Sequence, residues 1–297
     1  MRVAVASGKG GTGKTTVAVN LARVAADAGR RVQLLDCDVE EPDCALFLHP
    51  QSLRTQVVEL AIPEVDEAAC THCGVCGDVC EFHAIVSLPS TVLVFPELCH
   101  SCGACTLLCP QKAITETARR TGSVELGHAG VLATVVGTLD VGEAKSPPVI
   151  KAVQAQADAE ADLVVIDAPP GTSCPVIEAV RGADFVLLVS EPTPFGLHDL
   201  ELAVQTVRML GLPLTVVANR ADIGDERLRE YCRQEGIEIL LEIPDDRQLA
   251  EAYSRGRLAV DVLPGYRERF TALLDRLSEL VGASANQFSA PVGSETP

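Results

Sequence analysis

Residues 3–16 read VAVASGKGGTGKTT, and this stretch decides the fold. Its apolar start is typical of a buried strand, and the segment VAVNLARVAADAG at 17–29 has the apolar spacing of a helix. The loop between them satisfies the pattern G-x4-G-K-[ST], whose backbone N–H groups cradle phosphate at the positive end of a helix. The matching residues are Gly8, Gly13, Lys14 and Thr15. The order strand, glycine loop, helix predicts a nucleotide site in an α/β protein.

Each residue type in this loop has a distinct role toward a nucleotide. We expect Lys14 to reach the β and γ phosphates and Thr15 to place its hydroxyl on Mg²⁺. The alternative, a glycine-rich turn arisen by chance, does not explain the strand and helix that flank it. The predicted nucleotide-binding residues of the loop are Gly8, Gly10, Gly11, Thr12, Gly13, Lys14, Thr15 and Thr16.

Apolar strands and helical stretches alternate along the rest of the chain. FVLLV, PLTVVA and IEILLEI are further strands, and helices are predicted over 197–210 and 266–281. Such alternation predicts a mostly parallel sheet with helices on both faces. Ligands of an open parallel sheet bind beyond the carboxyl ends of its strands. Three aspartates follow strands in this way and are candidate site residues, namely Asp36, Asp38 and Asp167.

The middle of the chain contains the cysteine frame C-x2-C-x2-C-x3-C twice. The first copy comprises Cys70, Cys73, Cys76 and Cys80, and the second comprises Cys99, Cys102, Cys105 and Cys109. Three thiolates at this spacing can reach three corners of one iron–sulfur cube, and the fourth cysteine ligates the other cluster. One [4Fe-4S] cluster is therefore predicted on Cys70, Cys73, Cys76 and Cys109, and a second on Cys80, Cys99, Cys102 and Cys105.

Zinc and disulfide bonds are the alternatives for these cysteines. Structural zinc takes four ligands, usually as two separated pairs, and a duplicated triple exceeds that number. Disulfides need an oxidising compartment, which no feature of the sequence indicates. The segment resembles a bacterial two-cluster ferredoxin, with the apolar VSL and TVLVF segments as a predicted hairpin. Glu81 departs from that family, which usually has proline after the fourth cysteine, as Pro110 is in the second frame.

Lys9 extends the phosphate-loop motif, because KGGTGKT resembles the deviant Walker A loop of the MinD, ParA and nitrogenase iron-protein class. The resemblance implies that Lys9 crosses a dimer interface to the partner's nucleotide, although an exposed surface lysine is the simpler reading. It further implies that Asp38 orients the attacking water, and that Asp36 and Asp167 serve Mg²⁺. The other implied contacts are Gly171 near the γ-phosphate, Asn219 at the adenine edge, and the Pro244 to Asp246 loop over the base.

Residues 1 to about 282 together resemble the MinD/ParA/Mrp-type ATPases that carry an inserted ferredoxin domain. This resemblance predicts an α/β P-loop domain at residues 1–60 and 118–282, a ferredoxin-like α+β insert at 61–117, and a flexible tail at 283–297. We refer to residues 61–117 as the cysteine insert. Because it follows the Asp36–Asp38 segment, the insert is connected to a region that senses the nucleotide.

Three functional hypotheses follow from this arrangement. ATP hydrolysis drives electrons from the clusters to a redox partner, or it drives assembly of a metal or iron–sulfur cofactor on a client protein. In the third hypothesis the chain is a MinD-like positional switch whose clusters sense redox state or stabilise the fold. An ATP-dependent homodimer is expected, or a heterodimer with a paralogue. Cys174 is a candidate ligand of a labile interface cluster, whereas Cys37, Cys44 and Cys232 are predicted to be structural.

Charge and hydropathy narrow the choice of partners. The formal net charge of −17 disfavours nucleic acid, which selects basic surfaces. Residues 64–117 contain seven acids against one lysine, so the insert should attract basic partners. No apolar run approaches the roughly 20 residues that span a bilayer. Cysteines that are metal-bound or free suit a reducing cytoplasm, which is the predicted location.

Overall fold

Strands and helices alternate along the chain in a computed structural model that describes residues 1–288. The strands are β1 (Arg2–Ala6), β2 (Val32–Asp36), β3 (Gln51–Val65), β4 (Ile85–Leu88), β5 (Thr91–Val94), β6 (Ile114–Ala129), β7 (Leu132–Leu139), β8 (Leu163–Asp167), β9 (Phe185–Ser190), β10 (Leu214–Asn219) and β11 (Ile239–Ile243). The helices are α1 (Lys14–Asp27), α2 (Cys44–Leu48), α3 (Val75–Asp78), α4 (Ala104–Leu107), α5 (Pro147–Gln154), α6 (Cys174–Val180), α7 (Pro194–Met209), α8 (Arg227–Gln234), α9 (Arg247–Ser254), α10 (Ala259–Val262) and α11 (Tyr266–Phe288).

The main sheet has nine strands in the order β11-β10-β9-β1-β8-β2-β7-β6-β3. Pairing is parallel from β11 to β7 and antiparallel between β7, β6 and β3. The prediction of a mostly parallel sheet with helices on its faces is confirmed. Strand β1 lies between β8 and β9, so the phosphate loop that follows it starts near the middle of the sheet.

Side chains on the two faces of the sheet belong to two large apolar clusters. Along β1, Val3 and Val5 point into one cluster with α1, α10 and α11, whereas Ala4 and Ala6 point into the other with α5 to α8. This alternation follows from the two-residue period of a strand. Each fully buried leucine or valine contributes about 1.5–3 kcal/mol, so the two clusters supply the main driving force for folding.

The two long predicted helices are present as α7 and α11. Helix α11 continues through Phe288, so the predicted tail at 283–297 begins inside a helix. The remainder of that segment, 289–297, lies outside the described residues.

A long antiparallel ribbon connects the sheet to the cysteine insert. Strands β3 and β6 pair from Gln51↔His128 to Val65↔Ile114, and most of β3 is exposed at the edge of the sheet. The predicted domain boundary falls within this ribbon, where Ala61 pairs with Ala118. Beyond the ribbon, β4 and β5 form the predicted antiparallel hairpin as a separate small sheet.

The cysteine insert has a small apolar core. Its cluster of buried residues consists of Cys76, Ile85, Val92 and Ile114, with cysteines among the partly buried residues around it. A core of this size contributes little folding free energy, and small domains of this kind usually need disulfides or metals.

Candidate nucleotide and cysteine sites

The phosphate loop has the backbone conformation that its glycines allow. Gly13 has φ 94°, where a Cβ would lie 2.6 Å from Asn219 Nδ2, and a Cβ on Gly8 would lie 2.1 Å from the Asp199 carbonyl oxygen. At Gly10 and Gly11 an added Cβ would meet nothing within 4 Å, so this part of the loop is open. No side chain caps the start of α1, which leaves its backbone N–H groups available to an anion.

Lys14 and Asp38 form an ion pair at the inner side of the loop. The Lys14 Nζ atom lies 3.8 Å from Asp38 Oδ2, and the two side chains are only 6% and 14% exposed. Burial and the negative charge of Asp167 raise the pKa of Asp38 to about 7, although Lys14 opposes this shift. Lys14 therefore lies where phosphate is expected, and Asp38 lies beside it.

Asp36 and Asp167 are fully buried at the ends of β2 and β8. Burial raises the pKa of both carboxyl groups, and their proximity raises that of Asp36 further. Asp36 accepts hydrogen bonds from Asp38 N at 3.2 Å and Cys44 N at 3.0 Å.

The oxygen atoms around the ends of β2 and β8 suit a hard cation such as Mg²⁺. The Oδ1 atom of Asp167 is buried without a hydrogen-bond partner among the described residues. The Thr15 side chain favours the charged form of the Asp167 carboxyl group and so lowers its pKa, against the effect of burial. Mg²⁺ prefers oxygen ligands from one or two carboxylates plus substrate phosphates. The oxygen atoms of Thr15, Asp36 and Asp167 therefore fit the predicted magnesium site.

Cys44 also lies beside the Asp36 and Asp167 carboxyl groups, a position that was not predicted from the sequence. Its Sγ atom is 3.4 Å from Asp167 Oδ2, and the residue is fully buried. Burial and the carboxylates of Asp36 and Asp167 raise the pKa of its thiol. Nothing in the spacing of Cys44 indicated this contact, because α2 returns it to the end of β8 only in the folded chain.

Two further predicted residues are Gly171, which lies against the phosphate loop, and Lys9 within the loop. The backbone N–H of Gly171 donates to the Ser7 carbonyl at 2.9 Å, which holds the segment after β8 against the loop. Lys9 Nζ lies 3.5 Å from Glu191 Oε2 of the same chain, and Glu191 also pairs with Arg220 at 3.0 Å. Glu191 was not predicted, although its position directly after β9 was a usable signal.

The predicted base-binding residues follow β10 and β11. Asn219 Nδ2 donates to the Thr12 carbonyl at 2.8 Å, so this side chain contacts the phosphate loop directly. Asp246 caps α9 through Gln248 N at 2.8 Å and accepts a hydrogen bond from the Tyr266 hydroxyl at 3.2 Å. Pro244 directly follows β11. Because Asn219 pairs in register with Ile243, these residues share one end of the sheet.

The eight frame cysteines line two separate cavities in the insert. A cavity of about 340 Å³, partly open to solvent, is lined by Cys70, Cys73, Cys76 and Cys109. A second cavity of about 390 Å³, also partly open, is lined by Cys80, Cys99, Cys102 and Cys105. All eight are free thiols. The structure thus brings together the same two groups of four that the spacing predicted for ligation.

Backbone N–H groups point at sulfur in the same way in both frames. Four cysteine sulfurs each accept a hydrogen bond from a backbone N–H group. The pairs are His72 N to Cys70 Sγ at 3.4 Å, Ala84 N to Cys80 Sγ at 3.3 Å, Ser101 N to Cys99 Sγ at 3.4 Å, and Ala113 N to Cys109 Sγ at 3.3 Å. Hydrogen bonds to sulfur are one of the factors that set cluster potentials. The donor set and its repeated N–H contacts fit two [4Fe-4S] clusters.

The turn after each fourth cysteine is also repeated. His83 and Lys112 both have positive φ, 51° and 53°, and their N–H groups donate to the carbonyls of Cys80 and Cys109. Glu81, in place of the family's proline, therefore leaves the turn unchanged.

The remaining cysteines differ in exposure. Cys174 is exposed at the first position of α6, whereas Cys37 and Cys232 are buried, as expected of structural residues.

Across residues 1–288, every helix is too short or too polar to traverse a lipid bilayer.

Comparisons with known proteins agree with this geometry. Residues 3–260 match the family described as the CobQ/CobB/MinD/ParA nucleotide binding domain. An uncharacterized protein of Methanocaldococcus jannaschii is 30% identical over 95% of this chain and 98% of its own length. An iron-sulfur cluster carrier protein of Pyrococcus abyssi is 26% identical over 95% of this chain and 88% of its own.

Solved structures share the fold at lower sequence identity. The septum site-determining protein MinD of Pyrococcus horikoshii, complexed with Mg-ADP, superposes with a TM-score of 0.60 at 20% identity, covering 95% of this chain and 98% of that one. Similarity at this identity shows a common fold. It confirms the predicted P-loop architecture and does not bear on the cysteine insert.

Proposed function

We propose a function from one premise: this chain belongs to the CobQ/CobB/MinD/ParA nucleotide-binding family and is an ATPase of the MinD/ParA class. ATP hydrolysis in this protein is coupled to electron transfer, or to assembly of a metal or iron–sulfur cofactor on a partner protein. One observation carries the proposal, namely the two groups of four thiols around two cavities at the end of the β3–β6 ribbon. The similarity to an iron-sulfur cluster carrier protein of Pyrococcus abyssi supports a role that involves iron–sulfur clusters.

The residues of the nucleotide site take complementary roles. The N–H groups at the start of α1 and the Lys14 ammonium bind phosphate, and Thr15, Asp36 and Asp167 hold the metal ion. When bound, Mg²⁺ would neutralise charge on the phosphates, and clusters held by the frame cysteines would supply one-electron redox chemistry. Asp38, paired with Lys14 at 3.8 Å, orients the attacking water.

A chain of contacts from the nucleotide site to the insert supports the coupling. Val39, next to Asp38, accepts a hydrogen bond from Leu139 N at 2.8 Å, and the loop after β7 begins there. Charged side chains of this loop then contact the ribbon and the insert: Asp140 with Arg120, Glu143 with Arg119, and Lys145 with the Glu97 carbonyl. A shift of the Asp36–Asp38 segment on hydrolysis would be transmitted along this route.

The partner chain of a dimer would complete the nucleotide site. Lys9 is paired with Glu191 here, so reaching a second nucleotide requires breaking one partly exposed ion pair. Release of Lys9 would leave Glu191 paired with Arg220 at 3.0 Å, so this carboxylate would keep a cationic partner. We propose an ATP-dependent homodimer, or a heterodimer with a paralogue, in the cytoplasm, with Asn219, Pro244 and Asp246 around the base. The exposed Cys174 is the candidate ligand of a labile cluster between subunits.

Iron analysis of cysteine variants tests the proposal. Anaerobically purified protein should contain about eight irons, as two cubes require. Cys73→Ser and Cys102→Ser should each lose iron, whereas the matched control Cys232→Ser, at a buried cysteine outside both cavities, should retain it. ATPase turnover should then depend on the redox state of the clusters. Zinc in place of iron would refute the cluster assignment.

The alternative is a nucleotide-driven positional switch, which the MinD fold favours. In that case iron removal would leave ATP turnover and partner binding unchanged. Equal turnover with oxidised and reduced clusters would likewise favour the switch.

A further inference from the structure

We infer that Asp36, Cys44 and Asp167 form a binding site for a thiophilic divalent cation of the zinc or ferrous class. These residues come from the end of β2, the start of α2 and the end of β8. One ligand atom from each lies within 4.8 Å of the other two, and all three residues are fully buried. This inference concerns the nucleotide site and does not depend on the clusters of the insert.

The spacing of sulfur and oxygen already suits a bound ion. Cys44 Sγ lies 3.4 Å from Asp167 Oδ2. Zinc bonds of about 2.3 Å to sulfur and about 2.0 Å to oxygen, at a tetrahedral angle, place the two ligand atoms about 3.5 Å apart. The separation of these atoms, across which the Cys44 thiol donates a hydrogen bond to Asp167 Oδ2, therefore matches that of two ligands of one ion.

The charges at this position call for a cation. Asp167 Oδ1 is buried and has no hydrogen-bond partner among the described residues. Asp36, Asp38 and Asp167 lie together, and the Lys14 ammonium, 3.8 Å from Asp38, supplies one positive charge. One ammonium compensates only one ionised carboxylate, and burial raises the pKa of all three groups, so a bound cation would lower the cost of ionising the others.

The thiol determines which cation binds most tightly. Mg²⁺ takes oxygen ligands, whereas zinc and ferrous ions gain affinity from a thiolate. On binding, the Cys44 S–H bond breaks, a metal–sulfur bond forms, and the proton leaves to water, with no change in oxidation state. Such an ion would engage Asp36 and Asp167, so it would oppose their use by Mg²⁺.

Equilibrium dialysis against Zn²⁺ tests the site. The holoprotein, Cys44→Ser and Cys232→Ser would be dialysed anaerobically and their zinc content measured. Both substitutions replace a buried cysteine, but only Cys44 contacts Asp167. Cys44→Ser should lose one equivalent of zinc per chain relative to the other two proteins. Equal zinc in all three, or equal loss in both variants, would overturn the inference.

X-ray absorption at the zinc edge of the unsubstituted protein keeps the test open if Cys44→Ser does not fold. One sulfur at about 2.3 Å together with oxygen ligands is expected. Several sulfur ligands would indicate the cysteines of the insert, and oxygen or nitrogen alone would indicate surface binding. Either of those results would contradict the proposed site.

Discussion

The ATPase domain and the cysteine insert are stabilised in different ways. The main sheet is covered on both faces by large apolar clusters, whereas the insert buries Cys76, Ile85, Val92 and Ile114 around its thiols. The phosphate loop therefore belongs to a scaffold that should fold without its ligand. The insert has too little apolar area for this, so its order should depend on the clusters proposed for its cysteines.

Iron removal should produce the largest effect, and it should change the stability of the cysteine insert but not that of the ATPase domain. The amide hydrogens of β4 and β5 should lose nearly all protection from exchange after anaerobic removal of iron with a chelator, because the small core cannot hold the hairpin alone. Exchange in β1 and β8 should not change, since these strands lie between the two apolar clusters. Mass spectrometry of peptic fragments measures both. Full protection of β4 and β5 without iron would show that the insert is self-sufficient.

Lys14→Ala should impair ATP hydrolysis without affecting the cysteine insert. ATP turnover should fall by about 10²–10³-fold, the usual cost of losing one preorganised charge contact in a transition state. Iron content should stay the same, because Lys14 lies in the ATPase domain beside Asp38. Lys151→Ala, at an exposed position of α5, is the control and should keep normal turnover. Normal hydrolysis by Lys14→Ala would contradict the site assignment.

Two large-to-small substitutions test whether the regions unfold independently. Leu187 in β9 and Ile85 in β4 are both fully buried. Leu187→Ala should lower the free energy of unfolding of the ATPase domain by about 2–5 kcal/mol in a urea titration. Ile85→Ala should leave that transition in place and reduce iron retention instead. Equal destabilisation of the ATPase domain by both would mean that the chain unfolds as one unit.

Thr193→Ala should have the smallest effect, confined to the ATPase domain. The Thr193 hydroxyl accepts a hydrogen bond from Gly196 N at 3.0 Å and caps α7. Loss of such a cap costs about 1 kcal/mol of unfolding free energy. Thr271→Ala, at an exposed position inside α11, is the control and should change stability little. A loss of iron from Thr193→Ala would contradict the independence of the two regions.

Short-range patterns predicted the local chemistry of both regions. The phosphate loop needs a strand, particular glycines and a helix in immediate succession, so its position could be predicted from residues 3–16. The grouping of the cysteines follows from three-residue spacing, and the hairpin follows from two apolar segments near a turn. For the loop and the hairpin the physical cause lies within a few residues of its effect, whereas each cysteine group takes its fourth member from the other copy of the frame.

Contacts between distant segments were not predictable in this way. Cys44 approaches Asp167 only because β2 and β8 are neighbours in the sheet, and Glu191 meets Lys9 only because β9 lies beside β1. The β3–β6 ribbon was missed because β3 is exposed at the edge of the sheet and lacks a strong apolar pattern. The last helix was predicted to end at residue 281 because small and polar residues follow, but α11 continues through them to Phe288.

An EPR-monitored redox titration with and without Mg-ATP tests the coupling between the two regions most directly. Each 1.4 kcal/mol of change in cluster environment corresponds to about 59 mV for a one-electron couple. If ATP gates electron transfer, the unsubstituted protein should show a nucleotide-dependent shift in potential or signal, and Lys14→Ala should show none. Two intact clusters with the same potentials in every state would contradict ATP-gated electron transfer.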